Sequence, residues 1–308
     1  ALDSLREPVS MYEPIYNDGG DTIYLFDQLS ENKDEYSLDI KIAFFDIDGT
    51  LTNSDRKVSE NNIKAMNKIE EKDCEIIFCS GRNNDYLINI ANNCNTSRYI
   101  ISSNGSMIYD NKENKVIYKN QIPFEILKQI YDYCEKNEVA ITFNTDKYRY
   151  FNRFFYKDKK DIKIIDNYED LKNTTITQFV VGSYDYNQML EVKTFLDKIE
   201  ELEIVNISTT MKLKQKDSTN GFFYDVVLKG INKGTGIKKF SEIMNISKEN
   251  LIAIGDHVND LDMFNSVGYK IAMGNAYDEL KNKANYITKT NDEDGVMYAL
   301  EHIEKEFL

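Results

Sequence analysis

The chain has 308 residues, of which 41% are hydrophobic and 29% charged, and its formal net charge is −14 at pH 7. Such an acidic surface repels nucleic acid and acidic membranes, which argues against a binder of either. No apolar run approaches the roughly 18 residues of a membrane span, and the first residues lack the pattern of a secretory signal. The four cysteines form no metal-ligand or disulfide-framework spacing, so we expect a reduced, cytoplasmic protein.

Residues 1–40 differ from the rest of the chain. They are polar and acidic, and they contain the glycine-rich stretch Asn17-Asp18-Gly19-Gly20-Asp21. Roughly residues 1–30 resemble a linker segment of bacterial sporulation-type sigma factors, without that family's DNA-binding helices. We interpret residues 1–40 as an N-terminal extension outside the core, and a functional appendage is the alternative.

From Lys41 onwards, continuous apolar strands alternate with amphipathic helices. The patterns predict strands at 42–45, 75–79 and 99–102, and Ser59 should cap the helix after the first strand. This alternation predicts an α/β fold with a parallel-sheet, Rossmann-like core. Ligands of such sheets bind beyond the carboxyl ends of the strands, so residues that follow the strands are the functional candidates.

The stretch Phe44–Leu51 contains two carboxylates immediately after the first strand. Asp46 and Asp48 are followed by Gly49 and Thr50. This order suits a nucleophilic carboxylate with a second carboxylate beside it, and glycine permits the tight backbone path that follows. The alternative is a strand that ends in an ordinary Asp-Gly turn.

A second candidate follows the strand at 75–79, where a hydroxyl, a glycine and an arginine occur in sequence. Ser80 and the N–H group of Gly81 could form a small cradle for an anion. Ser-Gly pairs also mark ordinary turns, so this motif is weak on its own.

Residues 115–222 are predicted to form a second α/β unit, here called the cap, between core segments 41–114 and 223–308. The patterns indicate helices at about 124–136 and 186–200 and strand-like runs at 139–144, 148–155 and 177–183. Aromatic residues on both sides of the second run indicate packing in a small sheet. A contact between substrate and Arg149 or Arg153 stays open.

The last two motifs follow the cap. Lys233 opens a helix after a glycine-containing turn and could hold a phosphate oxygen as a point charge. Asp256 follows the apolar stretch 251–255, and Asn259 and Asp260 come three and four residues later. Acidic residues at strand ends that converge with Asp46 would suit Mg²⁺, whereas a simple helix N-cap is the alternative.

Together, the four motifs resemble those of the haloacid dehalogenase superfamily of phosphotransferases, over roughly residues 41–308. Their order and spacing resemble its Cof-type sugar-phosphatase branch, which has a large α/β cap between the second and third motifs. The resemblance implies that residues 115–222 are this inserted α/β cap domain. The resemblance implies a Mg²⁺-dependent phosphatase that hydrolyses a small phosphorylated metabolite, such as a sugar phosphate.

The resemblance also implies roles for individual residues. Asp46 would be the nucleophile and Asp48 the general acid and base. The phosphoryl oxygens would be held by Ser80, Gly81, Lys233 and Asn259. Magnesium would be bound by Asp46, the main-chain carbonyl of Asp48 and Asp256. Thr50 and Asp260 would support the site, Asp260 by orienting Lys233.

Two other functions stay open at this point. Related families use the same aspartates in phosphomutases, which isomerise an ester rather than release phosphate. A non-catalytic, transcription-associated protein could use residues 1–40 to bind its partner. The complete set of motif residues favours an enzyme.

Overall fold

The computed structural model describes residues 14–16, 23–24, 40–145, 149–152, 163–165, 168–172, 174–208 and 221–308. The first two of these ranges are short strands that pair antiparallel with each other. The rest of the predicted N-terminal extension before residue 40, with most of the sigma-factor-like sequence, lies outside the described residues, as does Arg153.

The described strands are β1 (Pro14–Tyr16), β2 (Ile23–Tyr24), β3 (Ile42–Phe45), β4 (Glu75–Cys79), β5 (Tyr99–Ser102), β6 (Met107–Asp110), β7 (Lys115–Lys119), β8 (Ala140–Thr145), β9 (Arg149–Phe151), β10 (Lys163–Ile164), β11 (Ile176–Ser183), β12 (Leu202–Ser208), β13 (Phe222–Leu228), β14 (Leu251–Gly255), β15 (Tyr269–Ala272) and β16 (Tyr286–Ile287). The described α-helices are α1 (Glu60–Glu70), α2 (Asn84–Cys94), α3 (Phe124–Lys136), α4 (Tyr186–Leu196), α5 (Lys233–Met244), α6 (Leu261–Asn265), α7 (Asp278–Lys281) and α8 (Gly295–Phe307).

The larger sheet has, within the described residues, the strand order β16-β15-β14-β3-β4-β5-β6-β7. Its strands run parallel from β16 to β5, and β6 and β7 add an antiparallel edge. The central strands β3, β4 and β14 are buried apart from Glu75 at the start of β4, as their continuous apolar sequences predict. The expected α/β fold with a mostly parallel, Rossmann-like core is therefore confirmed.

The helix after β3 begins where the sequence indicates. The Ser59 hydroxyl accepts a hydrogen bond from the Asn62 backbone N–H at 3.1 Å, which satisfies one of the free donors of the first turn. Met66 and Ile69 on its inner face are buried in the core. The Ser59 cap thus fixes the start of α1, and the amphipathic pattern fixes the face that packs on the sheet.

The smaller sheet has the order β10-β9-β8-β11-β13-β12 within the described residues, and it has a separate hydrophobic core. Helices α3 and α4 pack on one of its faces through buried residues such as Leu127, Ile130, Met189 and Val192. This α/β unit is the cap that lies between the two core segments of the sequence.

The strand pairings bear on where the cap begins and ends. The sequence analysis assigned 115–222 to the cap, yet β7 pairs with β6 in the larger sheet, and β13 pairs with β11 and β12 in the smaller sheet. We therefore propose that the junctions lie at 120–122 and 229–232. The alternating sequence of β7 fits either sheet, so its hydrogen-bonding partner could not be inferred from the pattern.

None of the helices in the described part of the chain combines the length and the apolar character required to cross a bilayer.

Candidate active site

Three neighbouring strands bring the sequence motifs to one edge of the larger sheet. β3 lies between β14 and β4, with Phe45 opposite both Ile254 and Phe78. Asp46 follows β3, Asp256 follows β14 and Ser80 follows β4. Parallel strands share a carboxyl edge, so residues far apart in sequence meet there.

Lys233 joins two of the acidic residues. Its Nζ donates to Asp46 Oδ1 and to Asp260 Oδ1, each at 2.6 Å, and all three side chains are buried. Lys233 is the first residue of α5, and a capping box between Asn232 and Thr235 fixes that end of the helix. The helix start therefore holds the ammonium group between the two carboxylates.

Asp260 also orders the loop after β14. Its Oδ2 accepts hydrogen bonds from the backbone N–H groups of Asp256 at 3.0 Å and His257 at 3.1 Å. Both oxygens of this carboxylate are thus engaged, one by Lys233 and one by the backbone. This arrangement suits a supporting residue that fixes Lys233 and Asp256 relative to each other.

Asp256 is held from the first motif. Thr50 Oγ1 donates to Asp256 Oδ1 at 2.8 Å, and the backbone N–H of Tyr277 donates to the Asp256 carbonyl at 3.0 Å. Gly49 has a φ of +84°, and a Cβ there would lie 2.4 Å from Asp256 Oδ2. Glycine is required at this position for both its conformation and the close approach of the carboxylate.

Asp48 has a partner that the sequence reasoning did not assign. The Arg82 guanidinium makes two parallel hydrogen bonds to its carboxylate, Nε to Oδ2 at 2.7 Å and a terminal nitrogen to Oδ1 at 2.8 Å. This contact raises the pKa of Arg82 above its usual value. Arg82 follows Ser80 and Gly81 directly, so its position in the second motif is the sequence feature that could have indicated its place in the site.

Ser80 and Gly81 border the site at the end of β4. Ser80 is buried, and its hydroxyl accepts a hydrogen bond from the backbone N–H of Arg82 at 3.3 Å. A Cβ on Gly81 would lie 2.8 Å from Asn104 Oδ1, so a larger residue would displace the Asn104 side chain. Asn259 Oδ1 is buried and has no hydrogen-bond partner among the described residues. The phosphate-binding roles of Ser80, Gly81, Lys233 and Asn259 stay predictions.

The charge of the site is unbalanced. Carboxylate oxygens of Asp46, Asp256 and Asp260 lie within 4.8 Å of one another, and Lys233 bridges two of these acids. Burial raises the pKa of Asp46 to about 8, although the nearby Lys233 charge acts to lower it. Burial and the neighbouring Asp260 charge raise the pKa of Asp256 to about 7. A divalent cation with oxygen ligands would remove this imbalance.

The acid cluster differs in one member from the predicted metal set. It contains the Asp260 carboxylate, whereas the Asp48 carboxylate is bound by Arg82. Because both Asp260 oxygens are engaged, Asp46 and Asp256 are the side chains best placed to bind a cation. The predicted ligand from Asp48 is its main-chain carbonyl, which the Arg82 contact leaves free.

Comparisons with known proteins identify the family of the chain. A model of the haloacid dehalogenase-like hydrolase family matches residues 43–300. The chain is 31% identical over 265 residues to 5-amino-6-(5-phospho-D-ribitylamino)uracil phosphatase YcsE of Bacillus subtilis, which covers 86% of this chain and 96% of that protein.

Solved structures show the same fold. A haloacid dehalogenase-like hydrolase from Bacteroides thetaiotaomicron aligns with a TM-score of 0.73 and 28% identity, over 86% of this chain and 99% of that one. A sugar phosphatase of subclass IIB of the superfamily aligns with a TM-score of 0.68 and 26% identity, over the same shares. The chain belongs to the haloacid dehalogenase-like hydrolase family, and within it the protein is a phosphoric monoester hydrolase.

Proposed function

We propose that the protein is a cytoplasmic, Mg²⁺-dependent phosphatase that hydrolyses a small phosphate ester, such as a sugar phosphate, through an aspartyl-phosphate. The observation that supports this most directly is the buried contact of Asp46 with Lys233, beside the carboxylates of Asp256 and Asp260. It combines a nucleophile with the positive charge that a phosphoryl group requires.

In this proposal Asp46 attacks phosphorus through one oxygen. Lys233 binds Oδ1, so Oδ2 is the oxygen available to form the new bond to phosphorus. The bond from phosphorus to the ester oxygen breaks, and the alcohol leaves. Water then attacks the aspartyl-phosphate and releases inorganic phosphate.

Asp48 transfers protons in both steps. It donates a proton to the departing ester oxygen and later accepts one from the attacking water. Arg82 engages both Asp48 oxygens at 2.7 and 2.8 Å. Each carboxylate oxygen keeps a second lone pair, so Arg82 can hold the carboxyl group in position while an Asp48 oxygen reaches the substrate.

The site fits a magnesium ion because its donors are oxygens and its carboxylates exceed the nearby positive charge. Asp46, Asp256 and the main-chain carbonyl of Asp48 would hold the ion. Bound there, Mg²⁺ would neutralise charge on the phosphoryl oxygens. No cysteine or histidine lies in the acid cluster of the described residues, which favours Mg²⁺ over Zn²⁺.

Two kinds of ester are the first substrates to test. The aligned subclass IIB structure is of a sugar phosphatase, and the relative YcsE is named for 5-amino-6-(5-phospho-D-ribitylamino)uracil. Both have a small polar alcohol part, which a cap over the site could enclose. We propose small esters rather than nucleic acid, membranes or phosphoproteins as the physiological partners.

The test is a screen of both kinds of ester with Mg²⁺, in which free phosphate and isomerised esters are measured separately. We expect free phosphate from the wild-type protein and none from Asp46→Asn, which preserves volume and removes the nucleophile. An isomerised ester would show a mutase instead. Normal phosphate release by a folded, undeamidated Asp46→Asn variant would refute the mechanism.

A further inference from the structure

The loop after β5, residues 103–106, lies beside the candidate active site, and we call it the Asn104 loop. Two backbone hydrogen bonds hold it on the second motif. The N–H of Asn104 donates to the carbonyl of Ser80 at 3.1 Å, and the N–H of Ser103 donates to the carbonyl of Arg82 at 2.9 Å. The loop is therefore attached on both sides of the glycine whose N–H group is predicted to bind phosphate.

The other side of the Asn104 loop packs on the first turn of α5. A Cβ on Gly105 would clash with the carbonyl oxygen of Asn232, and a Cβ on Gly236 would lie 2.7 Å from the Cα of Gly105. Asn232 caps the helix that Lys233 begins. The loop thus lies between two elements that are predicted to hold phosphate, the turn after β4 and the start of α5.

The backbone of the loop is left-handed at three successive residues. The φ angle is +52° at Ser103, +56° at Asn104 and +91° at Gly105. Asparagine tolerates this conformation better than most residues, because its short side chain can hydrogen-bond to the nearby backbone. The amide nitrogen of Asn104 makes no such bond to any described residue. An ordinary Asn-Gly turn therefore does not account for the direction of this amide group.

The Asn104 amide nitrogen is a buried donor that lacks an acceptor among the described residues. Only 3% of the side chain is exposed, and the nitrogen lies 3.0 Å from the point that a Cβ on Gly81 would occupy. An amide nitrogen can only donate, and buried donors normally have an acceptor because leaving one unpaired is unfavourable. Next to Gly81, the acceptors that a phosphate ester would bring are its phosphoryl oxygens.

We propose that Asn104 is a further substrate-binding residue, whose Nδ2 donates a hydrogen bond to an oxygen of the phosphoryl group. This inference rests on the proposed phosphatase function. The donor is uncharged and its backbone is fixed from two sides, so it adds a directed contact to the charge of Lys233. Because the contact is with the phosphoryl group, its loss should weaken every ester and inorganic phosphate alike.

The experiment measures the inhibition constant of inorganic phosphate, with p-nitrophenyl phosphate as the substrate and Mg²⁺ present. The wild type is compared with Asn104→Gly and Asn104→Asp. Glycine adopts a left-handed φ without strain, so the first substitution removes the amide and leaves the backbone. Aspartate has the size of asparagine and tolerates the same conformation, but it replaces the donor by a negative charge.

The two variants should differ in a definite order. Asn104→Gly should raise the inhibition constant about 10–100-fold, which corresponds to a lost hydrogen bond to a charged acceptor. Asn104→Asp should raise it further, because the carboxylate also repels phosphate. A side chain that only filled space would give the reverse order, since aspartate fills the space and glycine does not. The kcat/KM values for p-nitrophenyl phosphate and for a sugar phosphate should fall by similar factors.

Asn245 provides the matched controls. It is exposed at the end of α5, and its φ of +53° and ψ of +47° are close to the +56° and +36° of Asn104. Asn245→Gly and Asn245→Asp should bind phosphate as the wild type does. The rise in melting temperature that phosphate and Mg²⁺ produce together is a second measure of binding, independent of turnover. This rise should shrink in both Asn104 variants and not in the controls.

A wild-type inhibition constant in folded Asn104→Gly would overturn the proposal, whether or not Asn104→Asp folds. A larger effect of glycine than of aspartate would assign Asn104 to packing. A lower kcat/KM for the sugar phosphate with unchanged phosphate affinity would place the donor on the alcohol part. All three results would leave the phosphatase function intact. A wild-type protein that neither binds inorganic phosphate nor hydrolyses any ester would instead overturn the proposed function, and this inference with it.

Discussion

Replacing Lys233 by methionine tests the central ion pairs of the site. The ammonium group contacts Asp46 and Asp260 at 2.6 Å each, and only 2% of the lysine side chain is exposed. Methionine retains most of the apolar stem, so the substitution mainly removes the charge. It leaves two buried carboxylates without their shared counter-charge, beside a third at Asp256.

The expected loss of stability is large. Removing one partner of a buried ion pair costs about 3–5 kcal/mol, and Lys233 serves two pairs, so we expect the upper part of that range. At about 2–4 °C per kcal/mol for a chain of this size class, the melting temperature should fall by about 10–20 °C. Phosphate release should be lost as well, because in the proposed mechanism Lys233 neutralises both the nucleophile and the phosphoryl group.

The assay is thermal unfolding of the wild type and Lys233→Met, with EDTA and with Mg²⁺. A dication can replace part of the missing charge, so Mg²⁺ should stabilise the variant more than the wild type. The difference in melting temperature between the wild type and Lys233→Met should be smaller at pH 5 than at pH 8. Unpaired buried carboxylates have folded-state pKa values above their unfolded ones, so stability is lost as pH rises.

Lys239→Met is the control, because Lys239 lies on the same helix and forms only an exposed pair with Glu242. Its melting temperature should match that of the wild type. If Lys233→Met melted within about 3 °C of the control, which corresponds to about 1 kcal/mol, the ion pairs would not have the structural role argued here.

Asp48→Asn should slow phosphate release by about 10²–10⁴-fold at saturating Mg²⁺, since both steps need proton transfer, and a change in Mg²⁺ requirement alone would exclude the acid–base role. Removing residues 1–38 should leave activity and melting temperature unchanged, because the family match starts at residue 43; a large drop would show that the segment packs on the enzyme. EDTA should stop turnover reversibly, and Asp256→Ala should raise the Mg²⁺ concentration needed for half-maximal rate. Activity that only Zn²⁺ restores after chelation would refute the metal assignment. Burial raises the pKa of Glu75 to about 7, so the protonated residue stabilises the fold at low pH and this contribution is lost as pH rises towards 7. The melting temperature of Glu75→Gln, measured relative to that of the wild type, should therefore be higher at pH 8 than at pH 5.

Much of the site follows from sequence because parallel strands impose a common edge. Once 42–45, 75–79 and 251–255 are recognised as buried parallel strands, Asp46, Ser80 and Asp256 must lie near one another. The interpretation of Asp260 as the residue that orients Lys233 matches the observed 2.6 Å contact in geometry. These relations depend on backbone topology, which apolar periodicity encodes well.

Contacts made by long side chains and by the cap were harder to infer. Arg82 could point in many directions from its turn, and only the assembled site shows that it binds Asp48. The alternation of polar and apolar residues in β8 is visible in the sequence, but only the folded cap shows which face α3 and α4 cover. Tertiary packing therefore settles what local patterns leave open.

The net charge of the protein and the local charges of the site act in opposite directions on a phosphate ester. A net charge of −14 repels a phosphate ester outside the site, but screening at about 0.1 M salt limits that repulsion to a range of about 10 Å. Attraction must therefore arise inside the crevice, where, in the proposed mechanism, Lys233 and a bound Mg²⁺ would act on the phosphoryl group. Those charges are equally attractive to every phosphate ester, so they cannot distinguish one alcohol from another. Selectivity has to come from groups that contact the alcohol rather than the phosphoryl group.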